Sequence, residues 1–204
     1  MTGKERQAEA KIFEAAAEVF EEKGLDGARM QEIADRAGIN KALLHYYYRT
    51  KDKLFDAVFE HVAGLMLSKL FVCFDDNLPW EAQLTNFSRE HIDFLQQHPK
   101  MPTFILYEIN RHPERITTFF TSDYITRLRR NLFAQLEEEM QQGRIARMDK
   151  IQLLISIISL NVFPFAARGI LEALLQQENT TFDEFIEKRK EEVPQFVINA
   201  VKNK

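Results

Sequence analysis

Lys41, Ala42, Leu43, His45, Tyr46 and Tyr47 fall within seven consecutive positions. This mixture of an ammonium, an imidazole, two phenols and small apolar groups suits a surface that reads nucleic acid. Phosphates accept from lysine or hydroxyl donors. Base edges take hydrogen-bonding tips, or an apolar contact with a thymine methyl. Arg29 and Gln31 precede the cluster, and Lys51 follows it. Tyr48 is expected to pack inside. Tyr46 and Tyr47 are expected on DNA, since a short polar helix has no other reason to expose aromatics beside Lys41. Lys53 reads as a solvated charge. A second set of residues lies further on. Thirteen of the 17 phenylalanines come after position 70. Most of these suit an aromatic core, but some suit the walls of an apolar pocket with a few polar groups to orient a ligand. Phe87, Phe104 and Phe163 are the candidate lining residues. His91, Glu108 and Arg111 are the candidate polar groups, with Asn110 and Arg168 behind them.

The elements that must hold these residues are helices. Glycines number seven, and no alternating apolar segment lies between hairpin turns. Ile12, Phe13, Ala16, Val19 and Phe20 recur at three- and four-residue steps, giving one amphipathic helix over 6–23 that Gly24 closes. A short helix over 30–37, the turn Gly38-Ile39-Asn40 and a second short helix over 41–48 form a helix-turn-helix, with Asn40 as the cap. Ile33, Ala34, Ala37, Ile39, Leu44 and Tyr48 point inward in this unit. Thr50 caps a long fourth helix running through Leu54, Val58, Leu65 and Met66. Further helices are expected over 79–97, 103–111, 123–142, 149–177 and 181–202. Pro99, Pro102 and Pro113 make the breaks, and Pro164 puts a kink inside 149–177.

The run from Gly24 to Leu54 resembles the signature of the TetR family of repressors. The matching elements are Gly24, Ile33-Ala34, Ala37-Gly38, Lys41, the aromatic cluster His45 to Tyr48, Lys51 and Leu54. The resemblance covers residues 8–56, about a quarter of the chain. It implies an all-α protein of about nine helices. A three-helix DNA-binding domain over 1–50 would join, through a long helix, an effector-binding and dimerisation domain over 51–204. It also implies a dimer that leaves its operator when a small molecule binds. Carried across position by position, DNA contacts fall on Lys41, Ala42, Leu43, His45, Tyr46 and Tyr47, with Lys51 on a phosphate. Two positions depart from the pattern. Ala28 and Arg29 stand where the family often has hydroxyl residues, and His45 stands where it often has tyrosine. Arg29 is then expected to supply the phosphate contact itself.

Bulk composition limits the alternatives. The formal net charge is −4, so the chain as a whole lacks a basic signature. Residues 27–53 nevertheless hold six cations against three anions. A small basic reading unit on an acidic body shows this asymmetry. The single cysteine, Cys73, forms no internal disulfide, and the charged first twelve residues do not read as a secretion signal. A cytoplasmic protein is expected. The charge-free run 151–167 is short and polar for a membrane span. A buried helix explains it better, and residues 149–202 are the expected homodimer interface, as a four-helix bundle with two-fold symmetry. Glu108 with His112, and His91 with His98, have helical spacing but give no complete metal-ligand set. No cofactor or metal is expected, and no nucleophile or phosphate-loop motif points to an enzyme. The expected partners are double-stranded operator DNA, a second copy of the chain and an apolar or amphipathic effector, with no membrane. The alternative is a helical small-molecule-binding or adaptor protein without DNA affinity.

Overall fold

The structure is a computed structural model, and it describes residues 3–71, 78–111, 113 and 123–202. Within these residues it is all helix: α1 (Gly3–Gly27), α2 (Met30–Arg36), α3 (Lys41–Tyr47), α4 (Lys51–Phe71), α5 (Trp80–Gln97), α6 (Met101–Arg111), α7 (Asp123–Gln141), α8 (Lys150–Ala166), α9 (Arg168–Gln177) and α10 (Phe182–Val201). The chain divides into two compact units, one of residues 1–65 and 103–119 and the other of residues 66–102 and 120–204. The divisions at 65/66 and 102/103 fall inside helices, so α4 and α6 each contribute to both units.

The first unit has a closed apolar core. Ile12, Ala16, Val19 and Phe20 of α1 are buried with Leu25, Ile33, Ala34, Leu44, Leu54, Phe55 and Val58. Gly24 breaks α1 with a φ of 67°, a left-handed conformation that costs glycine no Cβ clash. The same φ recurs at Gly38, between α2 and α3. Around it the N–H of Gly38 donates to the Asp35 carbonyl, and that of Ile39 donates to the Ala34 carbonyl. Asn40 then caps α3, its Oδ1 accepting from the Leu43 N–H at 2.7 Å. Asn40→Ala should cost about 1 kcal/mol, read as a lower midpoint in urea with an unchanged slope.

The second unit packs α10 against α5 and α8, with α5 also against α8. Leu84, Phe87, Met140, Ile145, Leu153, Ile157, Val197 and Val201 form one buried cluster there. Asp149 caps α8 by accepting from the Ile151 and Gln152 N–H groups. Thr181 and Glu184 form a reciprocal capping box at the start of α10. The Ala146 N–H donates to the Val201 carbonyl, tying the loop before α8 to the end of α10.

Two boundaries differ from the sequence expectation. The apolar stretch 149–177 is two helices rather than one. It breaks at Ala167, where α8 and α9 meet at a bend of 77°. Pro164 lies inside α8 and has no N–H to donate to the Leu160 carbonyl in the preceding turn, which accepts from Arg189 instead. Helix α6 starts at Met101 rather than 103, because Pro102 is tolerated in a first turn, where its missing N–H has no intrahelical partner. Among the described residues no single helix is long and apolar enough to cross a membrane. Only the bent pair α8 and α9 passes such a test together.

Candidate nucleic-acid interface

Helix α3 is only seven residues long, and Leu44 is its buried anchor. Leu44 is buried in one cluster with Ile33, Ala34 and Ala37, and the small Ala34 and Ala37 let α2 and α3 approach closely. Lys41, Ala42, His45 and Tyr46 are then exposed, while Leu43 and Tyr47 are half-buried. Tyr46 is 81% exposed, more than any other large apolar residue described. Its ring meets that of Tyr47 edge-on at 5.6 Å, and Tyr47 in turn packs on the core. The half-buried tyrosine thereby holds the exposed one in place. Tyr48 faces inward. Its hydroxyl donates to Glu9 at 3.2 Å, and burial, followed by the Glu9 charge, pushes its pKa up to about 12. Tyr48 is therefore a neutral strut between α3 and α1.

Arg29 is exposed and extended just before α2. Gln31 is exposed, and its amide donates to Asp35 at 2.8 Å. Lys51 works within the fold. Its Nζ donates to the Asp26 and Ala28 carbonyls, both at 3.1 Å. This occupies two of its three N–H groups and fastens the corner between α1 and α2 to the start of α4. Arg36, away from the α3 surface, joins Glu18, Glu22 and Glu32, and Lys23 joins Glu32 as well. These partners lower the Glu32 pKa, the Lys23 hydrogen bond first among them. The network clamps α2 onto α1, and its members come from separated positions that no short motif reveals.

The ligand candidates are scattered. Phe104 packs on Phe55 in the first unit, with ring centroids 5.4 Å apart. Arg111, at the end of α6, pairs with Asp26 at 2.8 Å in the same unit. Phe163 is 60% exposed on α8. The Glu108 side chain lies outside the described residues, as do Cys73, His112, Phe119 and Phe120. His91 and Phe87 remain together in the second unit, their rings 5.5 Å apart. His91 is buried, and burial lowers its pKa to about 4. Asn161, fully buried on α8, brings its amide nitrogen within 3.4 Å of His91 Nδ1.

An apolar cleft, partly open to solvent, lies among α5, α7 and α8. Its walls are nearly all apolar and include Trp80, Leu84, Phe87, Leu132, Leu136, Leu153 and Ile157. Of the sequence candidates only Phe87 lines it. Leu132 and Leu136 belong to a helix otherwise dominated by charge, which hides them from a search for apolar runs.

An apolar face also remains open on the second unit. Ile151, Ile155 and Phe163 are more than half exposed and follow four- and eight-residue steps along α8. Ile170 and Leu174 of α9 and Phe196 of α10 are equally open.

Residues 12–58, which hold the whole helix-turn-helix, match the profile of "Bacterial regulatory proteins, tetR family". Over 146 residues the chain is 25% identical to the HTH-type transcriptional regulator RutR of Escherichia coli (strain K12), covering 72% of this chain and 68% of that protein. It is 36% identical over 87 residues to the HTH-type transcriptional repressor SCO4008 of Streptomyces coelicolor, covering 43% and 45%. In fold it is similar to the putative transcriptional regulator SCO4942 of Streptomyces coelicolor, with a TM-score of 0.73 at 19% identity over 96% of this chain and 98% of that one. Over residues 12–58 the chain is therefore similar to the TetR family of helix-turn-helix transcriptional regulators.

Proposed function

We propose that the protein is a dimeric repressor that reads a near-palindromic operator through α3 and releases it when an apolar or amphipathic molecule binds the second unit. Residues 1–50 serve as the reading head, and residues 51–204 carry effector binding and dimerisation. It acts in the cytoplasm as a regulator rather than as an enzyme. The observation that carries the proposal is the surface of α3. Leu44 anchors the helix, while Lys41, Ala42, His45 and Tyr46 stand exposed along it. Lys41 supplies phosphate affinity, and Tyr46, with Ala42 and His45, supplies contacts to base edges. Leu43 and Tyr47 complete this surface, and Arg29, Gln31 and the remaining donor of Lys51 flank it.

The dimer follows from the open apolar face on α8, α9 and α10. A monomer rarely exposes so many large apolar residues on neighbouring helices. Two-fold pairing through residues 149–202 covers them. It places two copies of α3 in successive major grooves, roughly 34–36 Å apart or a multiple of that. The effector site is the cleft among α5, α7 and α8. Control requires the effector to favour a conformation whose α3 helices are wrongly spaced for the operator. Helices α4 and α6 run from one unit into the other and are the routes for that shift. A coupling of about 1–3 kcal/mol gives roughly 5- to 150-fold weaker DNA binding.

Fluorescence anisotropy on labelled duplexes tests the interface. Lys41→Ala should weaken binding to operator and random DNA alike, and should make the slope of affinity against salt shallower by about one. Tyr46→Ala should cost about 1–3 kcal/mol on the operator and little on random DNA. Parent-like binding by both variants would show that α3 is not the reading surface.

A further inference from the structure

The outer face of α3 has a shape as well as a charge. Successive residues of an α-helix turn by about 100°. Ala42 and Tyr46 therefore stand opposite the buried Leu44, each within about 20° of the line through the helix axis. Lys41 and His45 lie on one flank of that line, and Leu43 and Tyr47 on the other. Exposure follows the same order, since Ala42 and Tyr46 are exposed while Leu43 and Tyr47 are half-buried. Tyr46 leans on Tyr47, ring edge to face, and Ala42 remains exposed beside it. The row pointing straight away from the core thus pairs the smallest of the outward side chains with the largest. Its position is fixed from both ends, because Asn40 caps the helix and Leu44 anchors it from behind.

We infer that Ala42 selects thymine: its methyl group packs on the C5-methyl of one thymine in each half-site, while Tyr46 meets the base pair roughly two steps away. Ala42 has no polar side-chain atom, so it distinguishes no base by hydrogen bonding. A side chain one carbon long touches a base edge only where that edge projects toward it. In the major groove the projecting apolar group is the thymine methyl. A carbonyl or amino group held against Ala42 would lose water without gaining a partner. The spacing to the second contact follows from dimensions. Four residues advance an α-helix by about 6 Å, and base pairs stack about 3.4 Å apart. The inference rests on the reading of α3 as the DNA-contacting surface, and narrows it from base edges in general to one A·T pair.

Fluorescence anisotropy of the full-length protein on the operator it selects tests this. Each thymine is replaced in turn, in both half-sites, by deoxyuridine. This keeps the pairing and every hydrogen-bonding edge and removes only the methyl group. At one position the affinity should fall about tenfold, the size expected for two methyl contacts returned to water. In Ala42→Gly the loss at that position should shrink to within twofold. Both duplexes meet the same variant, so any weakening of the helix by glycine cancels from the ratio. Ala42→Ser keeps the Cβ and adds a hydroxyl that pairs with several bases. Selection with this variant should relax the preference at the same base pair and leave it elsewhere. Tyr46→Ala should relax it roughly two base pairs away. A selected operator with no uracil-sensitive thymine would overturn the inference and leave α3 as the reading surface. So would a tenfold loss that persists in Ala42→Gly, or, were that variant too weak to measure, an unchanged preference in Ala42→Ser. If the parent selected no common sequence, the reading of α3 would fail and the inference with it.

Discussion

Placing two like charges on the open face of α8, as in Ile155→Glu with Phe163→Glu, should turn the dimer into a monomer and weaken operator binding by two orders of magnitude or more. Both side chains are more than half exposed in the single chain, so the substitutions disturb little within it. In the proposed dimer both carboxylates would be buried in the interface on each side, because a two-fold interface presents the same patch from both protomers. Burying an unpaired charge costs several kcal/mol. Operator affinity depends on the dimer through effective concentration. Once one half-site is engaged, the second α3 binds as if in the same molecule, a gain of 10²- to 10⁴-fold. Sedimentation should show the monomer, circular dichroism should show unchanged helix content, and anisotropy should show the lost affinity. A variant that stayed dimeric would move the interface elsewhere on the chain.

Acidification should weaken the fold through His91. Burial lowers its pKa to about 4, whereas an unfolded histidine titrates near 6.5. The stabilising difference is complete above the unfolded value. As pH falls below 6.5 the unfolded chain takes up a proton that the folded chain refuses, so stability declines until the folded pKa is reached near 4. The loss should be about 2 kcal/mol by pH 5 and about 3 kcal/mol over the whole window. Urea denaturation at pH 7, 6 and 5 reads it. His91→Gln should be less stable at pH 7 but should lose the part of the slope that His91 contributes. An identical slope in parent and variant would mean that His91 takes up its proton in the folded state as readily as in the unfolded one.

The helix-turn-helix was legible in the sequence because its determinants are local. Gly24 and Gly38 sit where the backbone turns left-handed, Asn40 caps the helix it precedes, and Leu44 falls on the buried side of a seven-residue helix. The second unit was less legible because periodicity marks a residue as apolar without saying what covers it. Phe87, Phe104 and Phe163 look alike in sequence. One lines the cleft, one packs on Phe55, and one lies on the open face. Arg111 was read as a polar group for a ligand, and Lys51 as a phosphate contact because the family resemblance implies one at its position. The structure gives both to Asp26 and its neighbours, a long-range pairing that spacing does not encode. The break at Ala167 was hidden because the apolar pattern continues on both sides of it. Leu132 and Leu136 were passed over because their helix carries many charges and no aromatic cluster drew attention to it.

The central claim is that α3 of a symmetric dimer reads DNA sequence. The most direct measurement is selection of bound fragments from a random duplex library by the purified full-length protein, repeated at two salt concentrations. The account predicts enrichment of one near-palindromic sequence. Its half-sites should lie one helical turn or a multiple apart. The enrichment should survive at the higher salt, where non-specific binding fades. Tyr46→Ala should change the enriched half-site. Recovery of fragments with no common sequence, or binding that vanishes altogether as salt rises, would contradict it.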